Sequence, residues 1–396
     1  MAEINEYFKN NYENSDDEYV KKIKRHRMSI FYRVLILIAI IVVFIIYLYY
    51  SYQNKVYSGY DVINTLEYNE SATAHYLGFN GNVLRYSQDG ATAFNMNNDM
   101  IWNETYEMQS PLADVCGDYV AIGEYKGTMI YVFDSTGLRG KIDTTIPLKS
   151  FCVSGNGYVA VILEEDEITW IKLYDKDGVN IANDKTTMAK SGYPIAIDLS
   201  DDGIILGVSY LYIDSGSISS SVAYYNFGSV GQNEIDNLVS GYDYPETIMS
   251  GIKFMNQKSQ FAVGDNKLVI FEGNQKPQSI FETDIEDEIQ SVFSNEEYIG
   301  LVYRNEDTTN RFRIDVYNTK GEEVISQPFD IEYSDIMFNK DTMVIYNATE
   351  CEIYSFGGLK KFSGTFENSA ISLIPTKGKS RFLLVSGDKM EEIQLQ

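Results

Sequence analysis

A pattern of short strand-like segments, repeated along nearly the whole chain, leaves this sequence few ways to fold. After Tyr60 helical periodicity is almost absent. Apolar residues alternate with polar ones in runs rich in Val, Ile, Tyr and Phe, and Gly, Asn, Asp and Ser separate the runs, as expected for strands and turns. One unit reads as a leading strand, a strand of the form YVA(I/V), a strand of the form (I/V)xV(Y/F)D, a turn and a closing strand. The clearest copies are GDYVAIGEYKGTMIYVFDSTG (117–137) and GNGYVAVILEEDEITWIKLYDKDG (155–178). Others are EYIGLVYRNEDTTNRFRIDVYNTKG (297–321) and DTMVIYNATECEIYSFGG (341–358), with weaker ones at 259–274 and 81–99.

The third strands end near Asn97, Asp134, Asp175, Asn226, Glu272, Asn318, Ser355 and Gln394, so the spacings are 37, 41, 51, 46, 46, 37 and 39 residues. A period of this length with four strands per unit predicts an all-β fold, a β-propeller. Eight blades are favoured, and seven remain if the irregular fourth unit does not complete a blade. The large spacing after Asp175 marks insertions at 210–221 and 228–247. These are rich in Tyr and Asp, and Tyr212, Asp214, Tyr242, Asp243 and Tyr244 are candidates for a partner-binding loop. The last unit, 369–396, offers three strands, and a spare strand-like run precedes the first unit at 60–68. Pairing that run with the last blade would close the ring and remove two open sheet edges.

The stretch VLILIAIIVVFIIYLYYSY, residues 34–52, carries no charge. A helix of that length matches the ~30 Å hydrocarbon core of a bilayer. Lys21, Lys22, Lys24, Arg25, Arg27 and Arg33 crowd its N-terminal flank, whereas Lys55 is the nearby cation on the other side. Cations near a span stay cytoplasmic, which predicts an N-terminus inside and a large domain outside the membrane. Bulky Tyr residues occupy the region where a signal peptidase would need small ones, so an uncleaved signal-anchor is expected. The expected layout is a disordered cytoplasmic tail with a basic juxtamembrane run at 1–33, a spanning helix at 34–52, a short tether at 53–59 and the propeller at 60–396.

From residue 55 onward there are 25 Lys+Arg against 51 Asp+Glu, a formal net charge of −26. Such a surface repels nucleic acid, whose binding needs clustered cations. Cations, basic proteins or neutral glycans are the favoured partners, and the same charge also keeps an exported domain dispersed. Cys116, Cys152 and Cys351 are too few, and odd in number, for a disulfide framework, so three buried free thiols are expected.

In outline the blades resemble quinoprotein-like and WD-type propellers. The layout, together with YDYPETIMSGIKF (242–254) and NATECEIYSFGGLKKFSGTF (347–366), resembles an uncharacterised family of Firmicutes with a short tail, one span and an extracytoplasmic propeller, a domain of unknown function. The resemblance implies a cell-envelope layout and carries no catalytic residues.

Little in the chain reads as chemistry. His75 alone would have to serve an external His-based triad, and no GxSxG elbow surrounds a serine. No Cys/His cluster suits zinc. IDLSDDGII (197–205), FETDIEDEIQ (281–290) and LEEDEI (163–168) read as turns rather than calcium loops. The two tryptophans, Trp102 and Trp170, lie at non-equivalent positions, so the docking repeats of quinone-dependent dehydrogenases are missing, and Trp102 is expected to pack between blades. Cofactor, metal and catalytic residues are therefore assigned to none. The expected function is non-enzymatic: a membrane-tethered extracytoplasmic binding or scaffold propeller that engages an envelope protein or cell-wall glycan near the membrane. The alternatives are a glycan-acting or redox enzyme, favoured by any pocket of perturbed carboxylates in the channel, and a transmembrane sensor that relays to a cytoplasmic partner.

Overall fold

The structure is a computed structural model of the chain and describes residues 2–67, 74–96, 99–166, 168–186, 192–214, 216–305, 309–376 and 378–396. Two anticipated strand limits, Tyr68 and Asn97, lie outside these residues. The chain divides into two compact units, with the boundary between Val56 and Tyr57.

The first unit is one helix, Ala2–Gln53. Its segment Lys22–Ser51 is long and apolar enough to cross a membrane. The helix also runs through residues 2–17, part of the stretch expected as a cytoplasmic tail. Once an apolar span has nucleated a helix, each added residue gains a hydrogen bond without repeating the nucleation cost. Ala2, Glu3, Glu6, Lys9 and Glu13 in this segment are favourable helix formers.

The second unit is an eight-bladed propeller. Seven blades are consecutive four-stranded antiparallel meanders, spanning 75–105, 111–143, 148–186, 193–244, 251–284, 289–329 and 335–365. The eighth combines Ala370–Pro375, Arg381–Ser386 and Lys389–Leu395 with the strand Tyr60–Glu67 from the other end of the domain. That strand runs antiparallel to Lys389–Leu395, pairing Tyr60 with Leu395 and Glu67 with Lys389, so the ring closes as the sequence predicts. Neighbouring backbone adds to the closure: Tyr57 N–H donates to Lys361 O at 2.7 Å and Ser58 N–H to Gln396 O at 2.7 Å. Residues 54–56, part of the stretch expected as a tether at 53–59, lie between the last helical residue, Gln53, and Tyr57.

The repeat follows from what each strand covers. Second strands are packed on both faces by neighbouring blades, which is why they read as unbroken apolar runs. Val120, Ala121 and Ile122 in one blade, and Val159, Ala160 and Val161 in the next, are fully buried. Where the neighbour supplies a bulky side chain, the second strand needs a glycine. A Cβ on Gly207 would lie 2.7 Å from Ile252 Cδ1 of the following blade, and one on Gly300 would lie 2.7 Å from Phe338 Cζ. Trp102 fills the seam between the first two blades as expected, stacking on Phe133 with 4.9 Å between centroids and 2° between planes. His75 stacks on Tyr86 within the first blade.

Because each blade is an up-and-down meander, its turns fall on two opposite faces of the ring. First-to-second and third-to-fourth strand turns share one face. Second-to-third turns and the blade-to-blade connections share the other. The first strands contact one another around the central axis. Tyr60 lies beside Leu395, the end of a third strand, so the chain joins the propeller on the first of these faces.

Candidate functional site: the channel mouth and the blade-four ribbon

Two features stand apart from regular blade packing. The first is a cavity of about 360 Å³ at one end of the central channel, lined by inner strands and first turns of the second to sixth blades. Asp114, Cys116, Asp198, Asp201, Lys253 and Gln257 supply its polar wall. A neighbouring channel cavity of about 570 Å³ shares Lys253 with it, and another of about 310 Å³ shares Asp114.

Asp114, Cys152 and Asp198 occupy the same rung of three successive blades, opposite Ala121, Ala160 and Gly207. Each carboxylate binds the next blade: Val153 N–H donates to Asp114 at 2.7 Å, and Phe254 N–H donates to Asp198 at 2.6 Å. Burial drives both acids toward their neutral forms, and Asp198 is pushed up to about 7 by burial and by the nearby Asp114 charge. The Lys253 ammonium opposes this shift in both. The Cys152 thiol between them is raised well above its ordinary value, by burial and then by Asp198 and Asp114.

Cys116 departs from the expectation of buried thiols. It is partly exposed and donates to Asp201 at 3.6 Å, while Cys152 and Cys351 are buried and all three are free. Burial, followed by Asp201 and two further carboxylates, pushes the Cys116 thiol up to about 12. Asp201 comes within reach because Gly155 has no side chain: a Cβ there would lie 1.9 Å from Asp201 Oδ1.

Side-chain amides join the turns at this mouth from blade to blade. Asn156 donates to Asp202 O at 2.7 Å, Gln257 to the Asp202 carboxylate at 2.6 Å and Asn256 to Glu296 O at 2.9 Å. Asn295 continues to Phe338 O at 3.4 Å and Asn339 to Gly378 O at 3.5 Å. The segment 197–205, weighed as a calcium loop, is one of these turns. Among the described residues no three of His, Cys, Asp and Glu converge to hold a metal ion.

The second feature lies on the opposite face. The insertion at 210–221 is an extension of two long strands, Ile205–Asp214 and Ser217–Asn226, rather than a loop. Among the described residues, pairing to its neighbours stops earlier, at Tyr193–Leu211 and Ser220–Tyr244, so Tyr212–Asp214 and Ser217–Ser219 extend past them as a two-stranded ribbon. Tyr212 and Asp214 stand on this ribbon, and Asp243 faces Ser221 on the adjoining strand. The Tyr212 hydroxyl is raised, by desolvation and then by the charges of Asp243 and Asp214. Ile213 and Ile218 pair across the ribbon and are exposed.

Two candidates do not belong to this surface. Tyr242 donates to Pro277 O at 3.0 Å and packs on Phe271, and Tyr244 is buried. Both stitch the fourth blade to the fifth. Alternation places them on the inner side of their strand, which a tyrosine-rich sequence does not reveal on its own. The basic residues Lys22, Lys24, Arg25, Arg27 and Arg33 lie on the helix, as does Lys21, whose side chain is outside the described residues.

Residues 53–395 match a family of unknown function, DUF5711. No curated protein matches the sequence. Among solved structures, BamB from Moraxella catarrhalis is similar at a TM-score of 0.52 and 12% identity, covering 85% of this chain and 100% of that one. A eukaryotic initiation factor is similar at 0.50 and 12%, covering 83% and 87%. The Neurospora crassa Pan2 WD40 domain follows at 0.43 and 10%, covering 85% and 95%. At such identities the first two likenesses show the propeller fold alone.

Proposed function

We propose a function for a chain that belongs to the DUF5711 family of unknown function: it is a membrane-tethered scaffold that presents its propeller outside the cell to an envelope protein or cell-wall glycan. The observation that carries this reading is the blade-four ribbon. A hairpin that extends past its described pairing neighbours offers a surface to an extended partner, and its exposed apolar pair, Ile213 and Ile218, offers side-chain contact. Asp214 and Asp243 beside it favour a basic partner.

The apolar segment Lys22–Ser51 supports the tether, and the basic residues before it support an N-terminus on the cytoplasmic side. Residues 54–56 reach roughly 14 Å at full extension, so the propeller stays near the membrane, while the ribbon, on the face opposite the one the chain joins, is open to partners in the envelope beyond.

Crosslinking through a photoreactive amino acid at Tyr212 in intact cells tests the reading. A specific adduct is expected, and it disappears when 212–219 is replaced by a two-residue Asn-Gly turn. An adduct that survives that replacement, or forms equally from a photoreactive residue at Lys320, refutes it.

The cavity supports a second reading, a glycan-acting enzyme, because Asp114 and Asp198 are desolvated carboxyls in a channel. Their bonds to Val153 and Phe254 favour a structural duty instead. Complete loss of a glycan-cleaving activity in Asp198→Asn, with crosslinking intact, would decide for the enzyme.

A further inference from the structure

Outer strands of all eight blades carry a one-residue bulge near their third-to-fourth strand turn. In the eighth blade the register passes from Val62–Ile393 to Asn64–Glu392 and skips Ile63. The same step skips Ile101 in the first blade, Ile181 in the third and Ile280 in the fifth. A bulge turns its extra residue away from the ladder. These four isoleucines are 49%, 41%, 50% and 45% exposed. Isolated exposed aliphatics are ordinary on protein surfaces. Here one rung, on one edge of the ring, repeats the same side chain in four blades.

That edge borders the face on which the chain joins the propeller. Tyr57 is hydrogen-bonded into the domain, and only residues 54–56 separate it from the last helical residue, Gln53. We propose that this face rests on the headgroup layer of a lipid bilayer, with the bulge isoleucines as its apolar contacts. The proposal rests on the anchoring reading above and adds to it an orientation and a lipid-contacting surface.

Charge on the two faces agrees with this choice. The connection into the sixth blade, on the opposite face, carries Glu286, Asp287 and Glu288 in succession. The joining face mixes exposed Lys258, Lys320 and Lys340 with acids such as Asp177, so its contact depends on the aliphatic side chains rather than on anionic lipid. Isoleucine at headgroup depth with lysine able to reach the phosphate layer is the composition of an interfacial surface.

The test uses the full chain reconstituted in phosphatidylcholine vesicles, in a Cys116→Ser background because the other two thiols are buried. A polarity-sensitive fluorophore is attached to Ile181→Cys, Ile280→Cys, Ile213→Cys or Val43→Cys in turn, and phosphatidylcholine bearing a headgroup nitroxide serves as quencher. Ile181 and Ile280 probes are expected to shift to the blue and lose emission, while the Ile213 probe on the opposite face keeps its emission. Unquenched probes at Ile181 and Ile280, with a probe at Val43 that reports lipid, overturn the docking proposal and leave the anchor standing. A Val43 probe that reports water overturns both. Equal quenching at Ile213 and Ile181 also overturns the orientation.

Discussion

The Asp198 carboxylate accepts the backbone N–H of Phe254 at 2.6 Å, so a group titrating near neutrality holds the fourth blade to the fifth. Its folded pKa is raised to about 7, against roughly 4 in an unfolded chain. Between these values the folded state keeps a proton that the unfolded state releases. The contribution of Asp198 to stability is therefore greatest below about pH 4, falls as pH rises to about 7 and is level above that. Asp198→Asn keeps an oxygen for Phe254 and removes the titration. At pH 8 the variant should exceed the parent by on the order of 2 kcal/mol in urea unfolding, and the gap should close toward pH 4. A gap independent of pH would rule this out.

Trp102 fills the first seam by stacking on Phe133. Trp102→Ala removes that surface and leaves a void the rigid blades cannot close, at a cost of about 3–5 kcal/mol. Denaturant unfolding measures it, and a loss under 1 kcal/mol would mean that the seam is held elsewhere.

Gly155 makes room for Asp201. Gly155→Ala should destabilise by about 1–3 kcal/mol through overpacking. In an Asp201→Ala background the same change should cost clearly less, since the atom in the way is gone. A double-mutant cycle reads the coupling, and additive costs would show that Gly155 serves some other purpose.

Cys116 is reachable from the cavity yet should react slowly. With its thiol at about 12, the thiolate fraction at pH 8 lies on the order of a thousandfold below that of a free cysteine. Iodoacetamide labelling at pH 8 should be correspondingly slow, and Asp201→Asn should speed it. Parent and variant alkylating at the rate of a free thiol would contradict this account.

Much of the fold was legible because propeller blades impose a local signature: buried second strands such as Val120–Ala121–Ile122, polar turns and a fixed spacing. Ring closure was legible from the surplus strand at one end and the missing strand at the other. The cavity was not. Asp114 and Asp198 lie 84 residues apart in sequence, and only the register places them on equivalent rungs. Cys116, read as buried, opens onto the cavity because a glycine in the next blade admits Asp201. Tyr242 and Tyr244 resembled surface residues by composition, yet alternation turned them inward. The bulges at Ile63, Ile101, Ile181 and Ile280 are likewise invisible to a pattern that counts only alternation.

The bond between Gln396 and Asp61 joins positions 335 residues apart. Strand Tyr60–Glu67 is among the first parts of the domain to be synthesised, and its partner, Lys389–Leu395, is the last. A polypeptide truncated by a nonsense codon or a stalled ribosome in its final stretch leaves the eighth blade without its third strand and Tyr60–Glu67 without a partner. Closure thus depends on both ends of the domain at once: removing Lys389–Leu395 uncovers the Arg381–Ser386 edge and strips Tyr60–Glu67 of its partner in a single step.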